Sequence, residues 1–67
     1  MEKWVVMRAV VINTCNMIKA RANATGDVML EGLAYSLVIM NSLSYSELDW
    51  DVWDRDEFYD IVDEGEK

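Results

Sequence analysis

The sequence predicts an all-α fold, an antiparallel helical hairpin followed by a short acidic helical segment. The 67 residues contain no proline, and Gly32 is the only glycine within residues 2–24 and 28–43. In both stretches apolar residues recur at intervals of three and four, as on one face of a helix. Between them, Gly26 suits a left-handed helix end and Asp27 suits a helix start. A chain of this length is expected to form one domain.

Residues 2–24 are predicted to form the first helix. One arc of this helix carries an apolar set: Trp4, Met7, Val11, Cys15, Ile18 and Ala22. A strand is the alternative, because residues 4–7 and 10–12 are rich in valine. We favour the helix, since no glycine or proline interrupts the stretch and residues 17–24 are largely good helix formers. A second apolar set, Val6, Val10, Met17 and Ala24, indicates a helix that lies between neighbours.

Residues 28–43 are predicted to form the second helix, which has apolar residues all round and only Glu31 charged. A small monomer cannot bury both sides of such a helix. Burying each large aliphatic side chain is worth about 1.5–3 kcal/mol, which favours a subunit interface. A core this small rarely supplies more than about 3–5 kcal/mol, so association is expected to add stability. We therefore predict a homo-oligomer whose interface contains Leu33, Leu37, Ile39 and Met40.

Residues 44–64 form an acidic aromatic segment. Ser44 with Glu47, and Asp54 with Glu57, have capping-box spacing, which predicts two short helical pieces. The alternation of apolar and acidic residues over 48–52 leaves an extended segment open as an alternative. Residues 65–67 are expected to fray.

Charge is unevenly distributed along the chain. Residues 1–26 hold four bases and one acid, whereas residues 47–67 hold ten acids and two bases. The formal net charge of −7 disfavours direct binding of nucleic acid or of an anionic membrane surface, and suits a basic protein surface. We expect a cytoplasmic protein, in the cell of origin or in an infected host cell.

Enzymatic chemistry and metal binding find little support. The chain has no histidine to activate Cys15, which we interpret as a small core residue. The carboxylates from Asp49 onward do not follow the EF-hand pattern, since Asp54 occupies the position where that loop needs glycine. We predict no catalytic residue, no metal site and no cofactor.

Aromatic residues concentrate in the same segment as the acids, with five of the seven after residue 43. The alternative for any single one of them is a place in the core, because small domains need large buried side chains. The whole set is difficult to bury beside eight acids within residues 47–63, and aromatic anchors ringed by charge are typical of protein-binding hot spots. We predict a partner-binding face made of Glu47, Asp49, Trp50, Asp51, Trp53, Asp54, Asp56, Glu57, Tyr59 and Asp60.

These features favour a protein that binds and inhibits a partner with a basic cleft by imitating the phosphate spacing of nucleic acid. Small, acidic, tryptophan-bearing chains of this kind are similar to phage antagonists of host defence, including anti-restriction and anti-CRISPR proteins. The similarity is one of size and composition and covers no motif, so it assigns no residue. One alternative is a self-assembling structural or regulatory module that associates through the second helix. Another is a binder of an anionic ligand such as a nucleotide, using Arg8, Lys19 or Arg21.

Overall fold

The computed structural model describes residues 2–65, with side chains for residues 2–63. It contains helix α1 (Lys3–Thr25), helix α2 (Val28–Met40), a 3₁₀ turn (Tyr45–Glu47) and helix α3 (Arg55–Gly65). The described residues form no strand, which confirms the all-α prediction and excludes the strand alternative for the first segment. Both predicted helices of the hairpin are present, and α1 packs along α2.

The junction between α1 and α2 follows the predicted signals. Gly26 has a φ of 67°, and its N–H donates to the carbonyl of Ala22 at 2.8 Å. Glycine adopts this left-handed conformation without a Cβ clash, so it ends the helix cleanly. The side chain of Asp27 then accepts a hydrogen bond from the N–H of Leu30 at 3.1 Å and caps α2.

The end of α2 differs from the prediction, because the helix stops at Met40 and not at residue 43. Ser42 adopts a φ of 51°, which turns the chain out of the helix. The N–H of Leu43 then donates to the carbonyl of Val38 at 3.0 Å, in the manner of a glycine-type helix end. This turn places Leu43 in the core, only 4% exposed.

Residues 44–54 run as turns, which resolves the choice between helical and extended structure. The N–H of Ser44 donates to Oε2 of Glu47 at 2.8 Å, so the first predicted capping box forms around the 3₁₀ turn. Asp49 organises the next turn, where its side chain accepts from the N–H of Asp51 at 3.0 Å. Asp54 Oδ1 accepts from the N–H of Glu57 at 3.0 Å and starts α3. The two predicted helical pieces are therefore present, joined by turns and not by a strand.

The core lies where the hairpin meets the C-terminal half of the chain. Its buried members come from α1, α2, the turns and α3: Cys15, Ala34, Tyr35, Val38, Leu43, Leu48, Trp53 and Phe58. Cys15 is fully buried, which confirms its interpretation as a core residue. The C-terminal segment is therefore packed into the fold, and only part of its side chains remains on the surface.

Candidate protein-binding face

Two of the predicted partner-binding acids form ion pairs with basic residues of the same chain. The first of them is Glu47. Nε and Nη2 of Arg8 donate to the two carboxylate oxygens of Glu47, each at 2.9 Å. This two-point ion pair, together with hydrogen bonds from Ser44, lowers the pKa of Glu47 to about 2. The pair connects the 3₁₀ turn to α1, so Glu47 stabilises the fold.

Glu57 is the second acid that binds within the chain, and it belongs to a cluster around the buried Lys19. Lys19 is 3% exposed, and its Nζ lies 3.5 Å from a carboxylate oxygen of Glu31 and 3.5 Å from one of Glu57. The hydroxyl of Tyr35 donates to Glu57 at 2.7 Å. Hydrogen bonding between the two carboxyl groups raises the pKa of Glu31 and lowers the pKa of Glu57.

The ammonium group of Lys19 also faces two aromatic rings and an amide. Its Nζ lies 5.9 Å from the ring centre of Tyr35 and 5.8 Å from that of Trp53, within the range of cation–π attraction. It also donates to Oδ1 of Asn23 at 2.7 Å. Arg8 and Lys19, two of the three cations considered for an anionic ligand, are thus already paired with carboxylates of the same chain.

Two asparagines of α1 hold the acidic segment in place, and sequence reasoning missed both. Oδ1 of Asn16 accepts from the indole N–H of Trp53 at 2.8 Å and from the N–H of Asp49 at 3.1 Å. Nδ2 of Asn23 donates to the carbonyl of Val52 at 2.9 Å. In the sequence, each asparagine is only a polar residue beside the apolar arc of α1, and that position does not indicate its hydrogen-bond partner.

The two tryptophans of the segment have opposite positions. Trp53 is 2% exposed and packs edge-on against Tyr35 with ring centres 5.2 Å apart. The prediction that Trp53 belongs to the partner-binding face is wrong, because a ring inside the core cannot touch a partner. Trp50, in contrast, is 64% exposed.

An open pocket on the surface, which we call the aromatic pocket, is lined by Tyr45, Ser46, Trp50, Arg55 and Tyr59 and has a volume of about 430 Å³. The indole of Trp50 lies parallel to the ring of Tyr45, with an interplanar angle of 1° and centres 6.2 Å apart. The indole N–H donates to the carbonyl of Tyr45 at 3.1 Å. Tyr59 is exposed, and the guanidinium carbon of Arg55 lies 5.9 Å from its ring centre.

Six aspartates of the segment are exposed, and two of them, Asp49 and Asp51, flank the pocket residue Trp50 in the chain. We call the six, with Trp50 and Tyr59, the acidic face: Asp49, Asp51, Asp54, Asp56, Asp60 and Asp63. Asp49 and Asp54 each use one oxygen for a turn or helix start. Across residues 2–63, no three acids or cysteines converge in a way that would hold a metal ion.

The predicted oligomer interface is divided by the structure. Leu33 and Met40 are exposed, and with Met29 they share one face of α2, since their spacings of four and seven residues correspond to full turns. We call these three residues the α2 stripe. Leu37 is half-buried against the core, and Ile39 lies on another side, in a groove lined also by Glu57 and Ile61.

None of the helices in the described part of the chain has the length and apolar character needed to cross a membrane. Searches against protein-family models, curated proteins and solved structures find no match. The acidic face is therefore interpreted from its own geometry and charge.

Proposed function

We propose that this protein binds another protein through the acidic face and thereby inhibits it, occupying a basic cleft that otherwise holds nucleic acid. Such a protein would act in the cytoplasm, of its own cell or of an infected host, in the style of phage antagonists of host defence. No chemistry of its own is required. The function is competitive occupancy.

The observation that carries the proposal is the fixed, exposed indole of Trp50, flanked in the chain by the exposed Asp49 and Asp51. An exposed tryptophan leaves a large apolar surface in water, and a partner gains free energy by covering it. Stacking and a hydrogen bond hold the ring before binding, so little side-chain freedom is lost on association.

The internal pairing of Glu47 and Glu57 supports the same proposal. Arg8 and Lys19 pair only with these acids and Glu31, and among the described side chains the six aspartates of the acidic face form no ion pair. Exposed carboxylates concentrated in one segment steer a basic partner over long range. In this proposal, the spacing of these aspartates along one segment lets them imitate the phosphates of a nucleic acid.

The experiment is capture of partners from a host lysate at low and high salt. The test variant Asp51→Asn/Asp56→Asn/Asp60→Asn removes three charges that make no capping hydrogen bond with the backbone. The control Ala9→Lys/Ala20→Lys/Ala24→Lys changes the net charge by the same amount at exposed positions of α1. We expect a nucleic-acid-handling partner that binds the wild type and the control, is displaced by salt and by DNA or RNA, and is lost in the test variant.

Equal capture by both triple variants would refute the proposal, because net charge alone would then explain binding. Capture that resists salt and survives the three aspartate changes would refute it as well.

A second candidate function, self-assembly through α2, is favoured by a specific observation. Met29 is 85% exposed and Met40 is 78% exposed, on the same face as Leu33. Covering this α2 stripe with a second copy would remove apolar surface from water. Sedimentation of Leu33→Lys/Met40→Lys should then show a monomer where the wild type is a dimer, and a monomeric wild type would refute self-assembly.

A further inference from the structure

We propose that the aromatic pocket is a binding site for an arginine side chain of the partner protein. The inference rests on the proposed function and names the group that the acidic face recognises. It commits to a cationic side chain, because the lining residues and their neighbours combine ring faces with carboxylates.

The rings provide the first step. Trp50 is held parallel to Tyr45, and its edge is fixed by the hydrogen bond to the Tyr45 carbonyl. Tyr45 and Tyr59 lie with ring centres 6.0 Å apart, so the three rings form one cluster at the surface. Ring faces carry negative potential and attract a cation within about 6 Å, tryptophan most strongly.

Arg55 provides the second step, since it already shows a guanidinium group at this pocket. Its guanidinium carbon lies 5.9 Å from the ring centre of Tyr59, one helical turn away on α3. The pocket therefore already accommodates a guanidinium group that belongs to the chain itself. The exposed indole of Trp50 offers a second ring for a guanidinium group that comes from outside.

Charge provides the third step. Asp49 and Asp51 flank Trp50 in the chain, and Asp60 follows Tyr59, and all three are exposed. A guanidinium group stacks flat on a ring while its edge donates paired hydrogen bonds to a carboxylate. Lysine offers a compact, strongly hydrated charge without that planar edge, so we expect arginine to be preferred.

The experiment is calorimetric titration of the full chain with a hexa-arginine peptide and, in parallel, with hexa-lysine, at the same low salt concentration. We expect hexa-arginine to bind more tightly, and Trp50→Ala to weaken its binding by about tenfold, in keeping with a cation–π contact at a partly covered site. Trp4→Ala is the matched control, because Trp4 is also exposed, at 67%, but lies in the basic N-terminal part of the chain. It should leave the affinity unchanged.

Three further variants keep the test independent of folding defects. Trp50→Phe keeps a ring and should retain part of the affinity, whereas Trp50→Leu keeps apolar bulk and should lose as much as Trp50→Ala. Arg55→Ala removes the competing cation and frees Tyr59, so it should strengthen hexa-arginine binding by a few-fold. Arg55→Ala also removes one positive charge from the chain, so its gain should be larger for hexa-arginine than for hexa-lysine, and equal gains for the two peptides would count against the arginine site.

Equal binding of the two peptides, or equal effects of Trp50→Ala and Trp4→Ala, would overturn the arginine site. The proposed function would survive that result if lysate capture still depended on the aspartates. Failure of capture with intact hexa-arginine discrimination would overturn the proposed function and leave the site standing.

Discussion

Replacing Lys19 by methionine should destabilise the fold strongly, because the ammonium group is the shared counter-charge of two carboxylates. The side chain of Lys19 is 4% exposed, while those of Glu31 and Glu57 are 31% and 40% exposed. Removing one partner of a fully buried ion pair costs about 3–5 kcal/mol. Water reaches both carboxylates here, so we expect a loss of about 2–3 kcal/mol in the free energy of unfolding.

Urea unfolding followed by circular dichroism at pH 7 measures this loss. With a slope of about 1 kcal/mol per molar urea for a small domain, the midpoint should fall by about 2–3 M. The control Lys3→Met makes the same chemical change at an exposed position and should alter stability by less than about 0.5 kcal/mol. Equal midpoints for the two variants would refute the assigned role of Lys19.

The same variant should show a characteristic pH dependence. Without Lys19, the adjacent Glu31 and Glu57 carboxyls repel each other when both are ionised, which raises the folded-state pKa of the pair above its unfolded value. A carboxyl pair with a raised pKa contributes stability below the unfolded pKa and loses it as the pH rises through the folded pKa. The deficit of Lys19→Met should therefore be smaller at pH 4 than at pH 7. A deficit of the same size at both values would contradict the proposed charge balance.

Three further predictions test other contacts. The pKa of Glu47 is lowered to about 2, so its pair with Arg8 contributes stability above the unfolded pKa and loses it as the pH falls towards 2; acid titration of Glu47→Gln should show a smaller loss over that range than the wild type, and an equal loss would contradict the pair's contribution. Asn16→Ala should cost about 1–3 kcal/mol in urea unfolding, because the N–H groups of Trp53 and Asp49 lose their acceptor; a loss below about 0.5 kcal/mol would be inconsistent with that. Ser42→Gly should raise the thermal midpoint, since glycine adopts the φ of 51° without strain, and a lower midpoint would be the opposite of the expected result.

The sequence predicted those parts of the fold that depend on local signals. Gly26 and Asp27 mark the helix junction by their own backbone and side-chain preferences, and Ser44 with Glu47 marks the next helical start. Ser42 was missed as the end of α2, because serine gives no local sign that it will adopt a left-handed conformation. Only the burial of Leu43 after it selects that turn.

The sequence indicated the segment that carries the candidate site, but not which of its side chains lie on the surface. Trp50 and Trp53 are three residues apart and each has an aspartate beside it in the chain, and only packing against Tyr35 and Asn16 decides which one is buried. Likewise, the long-range pairs of Arg8 with Glu47 and of Lys19 with Glu57 join residues far apart in the chain. Charge runs alone indicated a solvated segment and could not show which acids the fold would use.

Hydroxyl-radical footprinting of the protein with its captured partner tests most directly whether the acidic face is the contact surface. Radical oxidation reports the exposure of individual aromatic and methionine side chains, and these mark both candidate surfaces. We predict that Trp50 and Tyr59 become protected in the complex, while Met29, Met40 and Trp4 oxidise as in the free protein. Protection of Met29 and Met40 with unchanged oxidation of Trp50 would place the interface on the α2 stripe and contradict the account.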